Sequence, residues 1–262
     1  MEQPPSPDVV FVSYDEANAD ENYRRLKAVA PRAKRLHGVA GIGHAYRAAG
    51  ELSATANFFM VDGDSWVLDD FDFQPPQDFV PTISYLWTSR NAVNGILSLN
   101  GDVKFLSKSG VMALSLDAID YFGSIPLQVI SLPRVASESR FNTSSFAAWR
   151  AGFRECAKLA GGVIQRTDVG DQLRVWQSQG SDRPHGVACI LGARLGAAFG
   201  ASHWQSRDLA RINDPGFLRA EYSRMQAKFS GSIALDPHDA IIEPQPLGSG
   251  RILLNNPLGE TA

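Results

Sequence analysis

The chain has 262 residues, enough for one sizeable α/β domain with a short appendage. Hydrophobic residues make up 44% and charged residues 20%, a balance that excludes a disordered or fibrous chain. The formal net charge of -3 excludes a polycation that coats nucleic acid, and two cysteines, Cys156 and Cys189, exclude a disulfide framework and fit a reduced, cytoplasmic setting.

The opening "MEQPPSPD" is acidic and proline-rich, unlike a secretory leader. "DVVFVSY" is a short run of Val and Phe, the pattern of a strand covered on both faces. "NADENYRRLKAVAP" predicts a helix, with acids in its first turn, basic residues after them and a proline stop. "RAKRLHG" reads as a second, shorter strand, "AGIGHAYRAAGELSA" as a helix and "NFFMVDGD" as the next strand. Strand–helix–strand–helix–strand at this length predicts a mostly parallel sheet flanked by helices, a Rossmann-like half-domain of the kind that binds nucleotides.

Further on, "FVPTISYLW" predicts a strand whose Pro81 belongs at an edge or near its first positions. Asn94-Gly95 and Asn100-Gly101 mark turns, and "VKFLS" and "LQVISL" read as strands. "SSFAAWRAGFRECAKLAGG" is the clearest helix, with Phe146, Trp149, Phe153, Cys156 and Ala160 at helical spacing, Thr143 or Ser144 as cap and Gly161-Gly162 as stop. "HGVACILGARLGAAFGASHW" is the longest apolar stretch, and Arg194 and its glycines make it a buried helix rather than a membrane span. Gly192, Gly196 and Gly200 share one face of that helix and permit close approach of a neighbour. A single domain is expected over 1–230, followed by an extended Pro- and Gly-rich arm over 231–262.

The segment "FFMVDGDSWVLDDFDF" places five aspartates within eleven residues. Asp69, Asp70 and Asp72 read as a solvated turn, but Asp62 and Asp64 follow directly on an apolar strand. Ligands gather at the carboxyl ends of strands in open sheets. If the strand continues through Gly63, both carboxylates point to one face. Paired hard oxygen ligands suit Mg²⁺ or Mn²⁺, which take further oxygens from a diphosphate. The acids of "SYDE" end the first strand in the same crevice.

With these residues in view, the sequence resembles the A-type glycosyltransferase (GT-A) fold. The matching pieces are "VFVSYDE" and "GVAGIGHAYRAAGELSATANFFMVDGD", with its Asp-X-Asp signature. "SRNAVNGI", "GDVKFLSKSGV", "SRFNTSSFAAWRAGFRECAKLA" and "INDPGFL" resemble stretches of glycosyltransferase-like proteins of bacteriophages. The resemblance implies a transferase that moves sugar from a nucleotide-diphosphate sugar to a hydroxyl, with a hydroxymethylated base in phage DNA as one acceptor and the host cytoplasm as the setting. It implies Asp62 and Asp64 as metal and diphosphate ligands, and Ser13, Asp15 and Glu16 as the lining of the nucleoside pocket. Tyr14 would stack or pack beside them. His203, or His185, would complete the metal shell. Asp102 stands where such sequences carry glycine, which counts against a phosphate-hugging role for its loop.

For the base that takes the acceptor's proton, Glu155 and Asp214 are the candidates. Arg150 and Arg154 flank the apolar stripe of their helix and could meet phosphates or face water. Trp87, Arg90, Asn91 and Asn94 follow a strand; Trp87 could stack a sugar or fill the core, and Asn94-Gly95 could bind or simply turn. The scattered basic residues predict weak, salt-sensitive DNA contact. A nucleotidyltransferase would use the same paired acids, although "SYDEANADEN" lacks the glycine-rich basic loop of such enzymes. A non-catalytic binding domain on the same fold is the third reading.

Overall fold

The computed structural model describes residues 6–99, 101–114, 116, 128–164 and 167–228. The arm expected over 231–262 and the turn residue Asn100 lie outside these. Among the described residues eight strands form one sheet: β1 (Val9–Ser13), β2 (Lys34–His37), β3 (Asn57–Asp62), β4 (Ser65–Val67), β5 (Ser84–Asn91), β6 (Leu97–Ser98), β7 (Val103–Ser107) and β8 (Val129–Ser139). Their spatial order is β2-β1-β3-β7-β5-β8-β4, with β6 beside β5. The helices are α1 (Ala19–Val29), α2 (Ile42–Leu52), α3 (Lys108–Met112), α4 (Ser145–Ala160), α5 (Val169–Ser178), α6 (Gly186–Ser202) and α7 (Pro215–Lys228), with a 3₁₀ turn over Arg207–Asn213.

The α/β class and the β1–α1–β2–α2–β3 lead-in match expectation, but the sheet is mixed. β1 runs parallel to β2 and β3, and β5 to β8. β7 is antiparallel to both β3 and β5, and β4 and β6 are antiparallel to β8 and β5. The "mostly parallel" expectation failed because it extended the crossover pattern of the first three strands to the sheet as a whole. The direct passage from β3 into β4, and the hairpin-like return of β6 onto β5, need none.

Alternation along β3 explains the two cores. Phe59 and Val61 face one side, packing with Phe11, Leu26 of α1 and Trp87. Phe58 and Met60 face the other, with Tyr46 and Ala49 of α2 and Val111 after β7. Burial on both faces is why the strand reads as an unbroken apolar run. α4 starts where expected, with Ser144 Oγ accepting from the Ala147 amide at 3.1 Å. It lies alongside α6 with Gly192, Gly196 and Gly200 against the backbone of Trp149, Phe153 and Ala157, where a β-carbon would come within 2.1, 2.0 and 2.3 Å of their carbonyl oxygens. The glycine face thus does what its spacing predicted. Among the described residues no helix is long and apolar enough to cross a membrane.

Two details position the site. The pairing of β5 with β8 shifts register around Thr88, where Trp87 pairs with Leu132 but Thr88 with Val135. Pro133, which has no amide to donate, sits in that irregularity, and such bulges bend a strand. The far half of β8 therefore pairs with β5 on one side and β4 on the other, Ser139 lying opposite both Asn91 and Ser65. β3 itself ends at Asp62, and Gly63 and Asp64 form the turn into β4. Asp62 and Asp64 are not two residues of one continuing strand, as the sequence reading supposed.

Candidate functional site

Strand directions gather the chemistry at one edge of the sheet. β1, β3, β5 and β8 end there, and antiparallel β7 begins there. That edge carries Ser13 to Glu16 from β1, Asp62 to Asp64 from β3, Asn91 from β5, Ser137 and Ser139 from β8, and Asp102 just before β7.

The turn at Gly63 depends on having no side chain. A β-carbon there would lie 2.6 Å from Glu16 Oε2 and 2.9 Å from Ser13 Cβ, so the β1–α1 loop closes over this glycine. Glu16 Oε2 also accepts from the Tyr14 amide at 2.7 Å, fixing the loop. On the α1 side, Asn22 Nδ2 donates to Gly63 O at 2.9 Å and Asn18 Nδ2 to Arg140 O at 2.8 Å, while the Arg140 amide donates to Asp64 O at 2.8 Å. Asn18 Oδ1, Asn22 Oδ1 and Ser65 Oγ flank the same turn, buried and without a protein partner. Oxygens of this kind are normally satisfied by water or a ligand.

Four carboxylates share this region, and they repel. Burial first, then the charges of Asp102, Asp62 and Glu16, push the Asp64 carboxyl from its ordinary 3.8 up to about 8. Asp102 is also raised, by burial and then by Asp62, against the pull of the Ser139 hydroxyl, Lys104 and the Ser137 hydroxyl. Ser139 Oγ donates to Asp102 Oδ2 at 2.6 Å and Ser137 Oγ to the same oxygen at 3.3 Å. Lys104 of β7, its side chain only 3% exposed, pairs through Nζ with Asp62 Oδ2 at 2.5 Å. Gly101 sets this corner: a β-carbon there would fall 1.8 Å from Trp87 O, so β7 starts hard against the β5 backbone.

The expected site residues divide into two groups. Ser13, Tyr14, Asp15, Glu16, Asp62 and Asp64 lie together at this edge. Ser13 Oγ is hydrogen-bonded to His37 Nδ1 at 2.9 Å, Tyr14 is 42% exposed, and Asp15 receives both of its 3.1 Å bonds from Arg150 Nη1 of α4. The others are elsewhere or occupied. Trp87 is buried among Phe59 and Phe71, with ring centroids 5.5 and 5.3 Å away, so it fills the core. Asn91 Oδ1 accepts from the Val93 amide at 2.8 Å and Asn94 Oδ1 from the Ile96 amide at 3.1 Å, the work of turn-forming asparagines. Glu155 pairs with Lys158 at 2.7 Å on α4. Asp214 Oδ1 accepts from the Gly216 amide at 2.8 Å and starts α7 ahead of Pro215.

His203 caps the far end of α6, its Nδ1 2.8 Å from Phe199 O. Because α4 and α6 run side by side with Gly200 opposite Ala157, His203 lies near the end of α4. That is about 15 Å along the helix from Arg150, at 1.5 Å per residue. His185 contacts Ser145 Oγ at 3.0 Å at the start of α4. Among the described residues, neither histidine joins the aspartates in a group of three or more ligands that could hold a metal ion.

Sequence reasoning missed Lys104, Ser137 and Ser139, and set Asp102 aside as a departure from a glycine pattern. A lysine inside "DVKFLS", otherwise apolar on both faces, was the available signal, since a buried lysine demands an acid.

Among the described residues no three His, Cys, Asp or Glu side chains converge to hold a metal ion. The donors present fit a hard cation only in the manner of Mg²⁺ or Mn²⁺ on one or two carboxylates, with water and substrate oxygens completing the shell. The excess of negative charge around Asp64 is consistent with that arrangement.

No protein-family profile matches this chain, and no curated protein matches it. One solved structure similar to it is the crystal structure of a glycosyltransferase involved in the glycosylation of the major capsid of PBCV-1, at 13% identity and a TM-score of 0.27. The match covers 40% of this chain and 62% of that one, under two thirds of its length.

Proposed function

We propose that the protein is a glycosyltransferase that takes its sugar from a nucleotide-diphosphate donor bound at this edge, with Mn²⁺ or Mg²⁺ on Asp62 and Asp64. The observation that supports this is the gathering of Asp62, Asp64, Asp102 and Glu16 at the carboxyl ends of parallel β1 and β3, where burial first and then the neighbouring carboxylates push Asp64 up to about 8. Such a site is electrostatically incomplete until positive charge arrives. A divalent ion there would neutralise charge developing on the leaving diphosphate.

The chain's own residues divide the remaining work. Tyr14, exposed at the mouth, offers a face for the base. Glu16 holds the loop over Gly63 through the Tyr14 amide. The serine hydroxyls of β8 fix Asp102 at the inner wall. In this reading Asp102 or Glu16, which lie at the same edge as Asp62 and Asp64, takes the acceptor's proton in place of Glu155 or Asp214. A hydroxymethylated DNA base remains the proposed acceptor.

The test is thermal unfolding with a panel of nucleotide-diphosphate sugars, with and without Mn²⁺, on the wild type, Asp62→Ala and Asp64→Ala. A donor at a hundred times its Kd stabilises by about 2.7 kcal/mol, or about 5–10 °C for a domain of this size. The wild type should show this with one donor class and Mn²⁺, and both variants should lose it. Intact-mass analysis of hydroxymethylated DNA incubated with that donor then tests the acceptor. A response to nucleoside triphosphates alone would favour nucleotidyl transfer, and no response to any nucleotide would leave a non-catalytic binding domain.

A further inference from the structure

We propose that Lys104 is a tethered counter-ion that holds Asp62 while the site is free of metal, and swings to Asp102 when a divalent cation takes Asp62. This rests on the reading of Asp62 and Asp64 as cation ligands and adds a residue that sets the affinity of that site. Three observations carry it.

The first is placement. Lys104 lies opposite Met60 on β3 and opposite Leu86 on β5, so its backbone is clamped on both sides by the sheet. Cross-strand partners share a face, which puts its stem on the face of Met60 and Asp62. An ammonium whose side chain is 3% exposed must be paired, since an isolated buried charge is very costly. Its partner is Asp62 Oδ2 at 2.5 Å, and the Asp62 side chain keeps 38% of its surface in contact with solvent. Lys104 thus approaches the carboxylate from inside the protein, on the group that an incoming cation would meet from outside.

The second is a waiting second acceptor. Lys104 Nζ is already 3.5 Å from the backbone carbonyl oxygen of Asp102, which also accepts from the Asp62 amide at 3.1 Å, and the Asp102 carboxylate beside it is fastened through Oδ2 to Ser139 and Ser137. A compact ammonium on a flexible four-carbon stem can exchange one of these partners for the other; the planar fork of an arginine could not do so in the same space. The third is charge. A divalent ion on Asp62 would stand next to the ammonium, and that repulsion opposes binding unless Lys104 moves away. Lys104 is a positioning residue in this scheme, since it acts through Asp62 and Asp102.

The experiment is a titration of Mn²⁺ against the full chain, read by the electron paramagnetic resonance signal of the free ion, with no donor or acceptor present. Wild type is compared with Lys104→Met, which keeps most of the stem without the charge, and Lys104→Gln, which keeps a neutral hydrogen-bond donor on a shorter stem. Near-UV circular dichroism reports whether each variant is folded. The folded variants should bind Mn²⁺ at least about tenfold more tightly, because the competing charge is gone. A lysine with only a structural role predicts unchanged or weaker binding, and either result overturns the proposal. If the wild type binds Mn²⁺ and the variants bind no better, only the counter-ion inference falls. If neither wild type nor variants bind Mn²⁺, the cation reading of Asp62 and Asp64 falls and takes this inference with it.

Discussion

Replacing Asp64 by Asn should stabilise the metal-free protein, and by an amount that depends on pH. The carboxyl binds its proton at about 8 in the folded chain against an ordinary 3.8. Between those values the folded state holds a proton that the unfolded chain has released. Stability therefore falls as pH rises through that window and levels off above about 8. Asparagine has no proton to lose and removes the penalty. Each tenfold difference in proton affinity corresponds to about 1.4 kcal/mol. Asp64 keeps partial contact with water, so screening reduces the effect on stability to about 2 kcal/mol at pH 8. For a domain of this size that is a rise of about 4–8 °C in Tm. The substitution leaves the Arg140 amide in place, since that bond goes to the Asp64 backbone oxygen. The assay is thermal unfolding of both proteins in EDTA from pH 4.5 to 9. The Tm gap should be smallest at the acid end and widen with pH, and saturating Mn²⁺ should shrink it by stabilising only the wild type. A gap that is constant with pH, or an Asn variant that melts below the wild type at pH 8, would refute the electrostatic account of this site.

Gly101→Ala should destabilise by about 3 kcal/mol or more, because a β-carbon 1.8 Å from Trp87 O forces β5 and β7 apart; chemical denaturation measures it. Trp87→Ala should cost about 3–5 kcal/mol in the same assay by emptying the centre of an aromatic cluster, with donor Kd unchanged in whatever fraction remains folded. Arg150→Ala should cost no more than about 1 kcal/mol, since its partner Asp15 is partly exposed. His203→Ala should leave Mn²⁺ affinity unchanged, its ring being committed to the Phe199 carbonyl.

The sequence made the first half of the sheet legible because each element there carries a local signal. Apolar runs gave β1 and β3, the acidic first turn gave α1, and the periodic aromatics with a serine cap gave α4. The glycine face of α6 was legible for the same reason, since its spacing matches one turn of helix. Strand direction beyond β3 was not, because no local pattern distinguishes a crossover from the short turn at Gly63, or marks β7 as antiparallel. The site was half readable on the same grounds. Asp62 ends a strand that could be recognised, and Asp64 and Glu16 follow within three residues of such strands, whereas Asp102, Lys104 and the two serines of β8 join them only through strand pairing across long stretches of chain. Asn91, Asn94 and Asp214 misled because a side chain that shapes a turn and one that binds a ligand have the same composition. Trp87 misled because the start of its strand was set too early, at the Phe79–Pro81 segment rather than at Ser84.

The β1–α1 loop is fastened by Asn18 to Arg140 and by Asp15 to Arg150, partners 122 and 135 residues further along the chain. Contacts so distant in sequence slow folding. A chain emerging from the ribosome therefore has its first carboxylates in hand long before the residues that discipline them exist. On the proposed reading, nascent chains halted before Arg140 should be unable to retain nucleotide, so that ligand capture would mark synthesis past the midpoint of the 262-residue molecule.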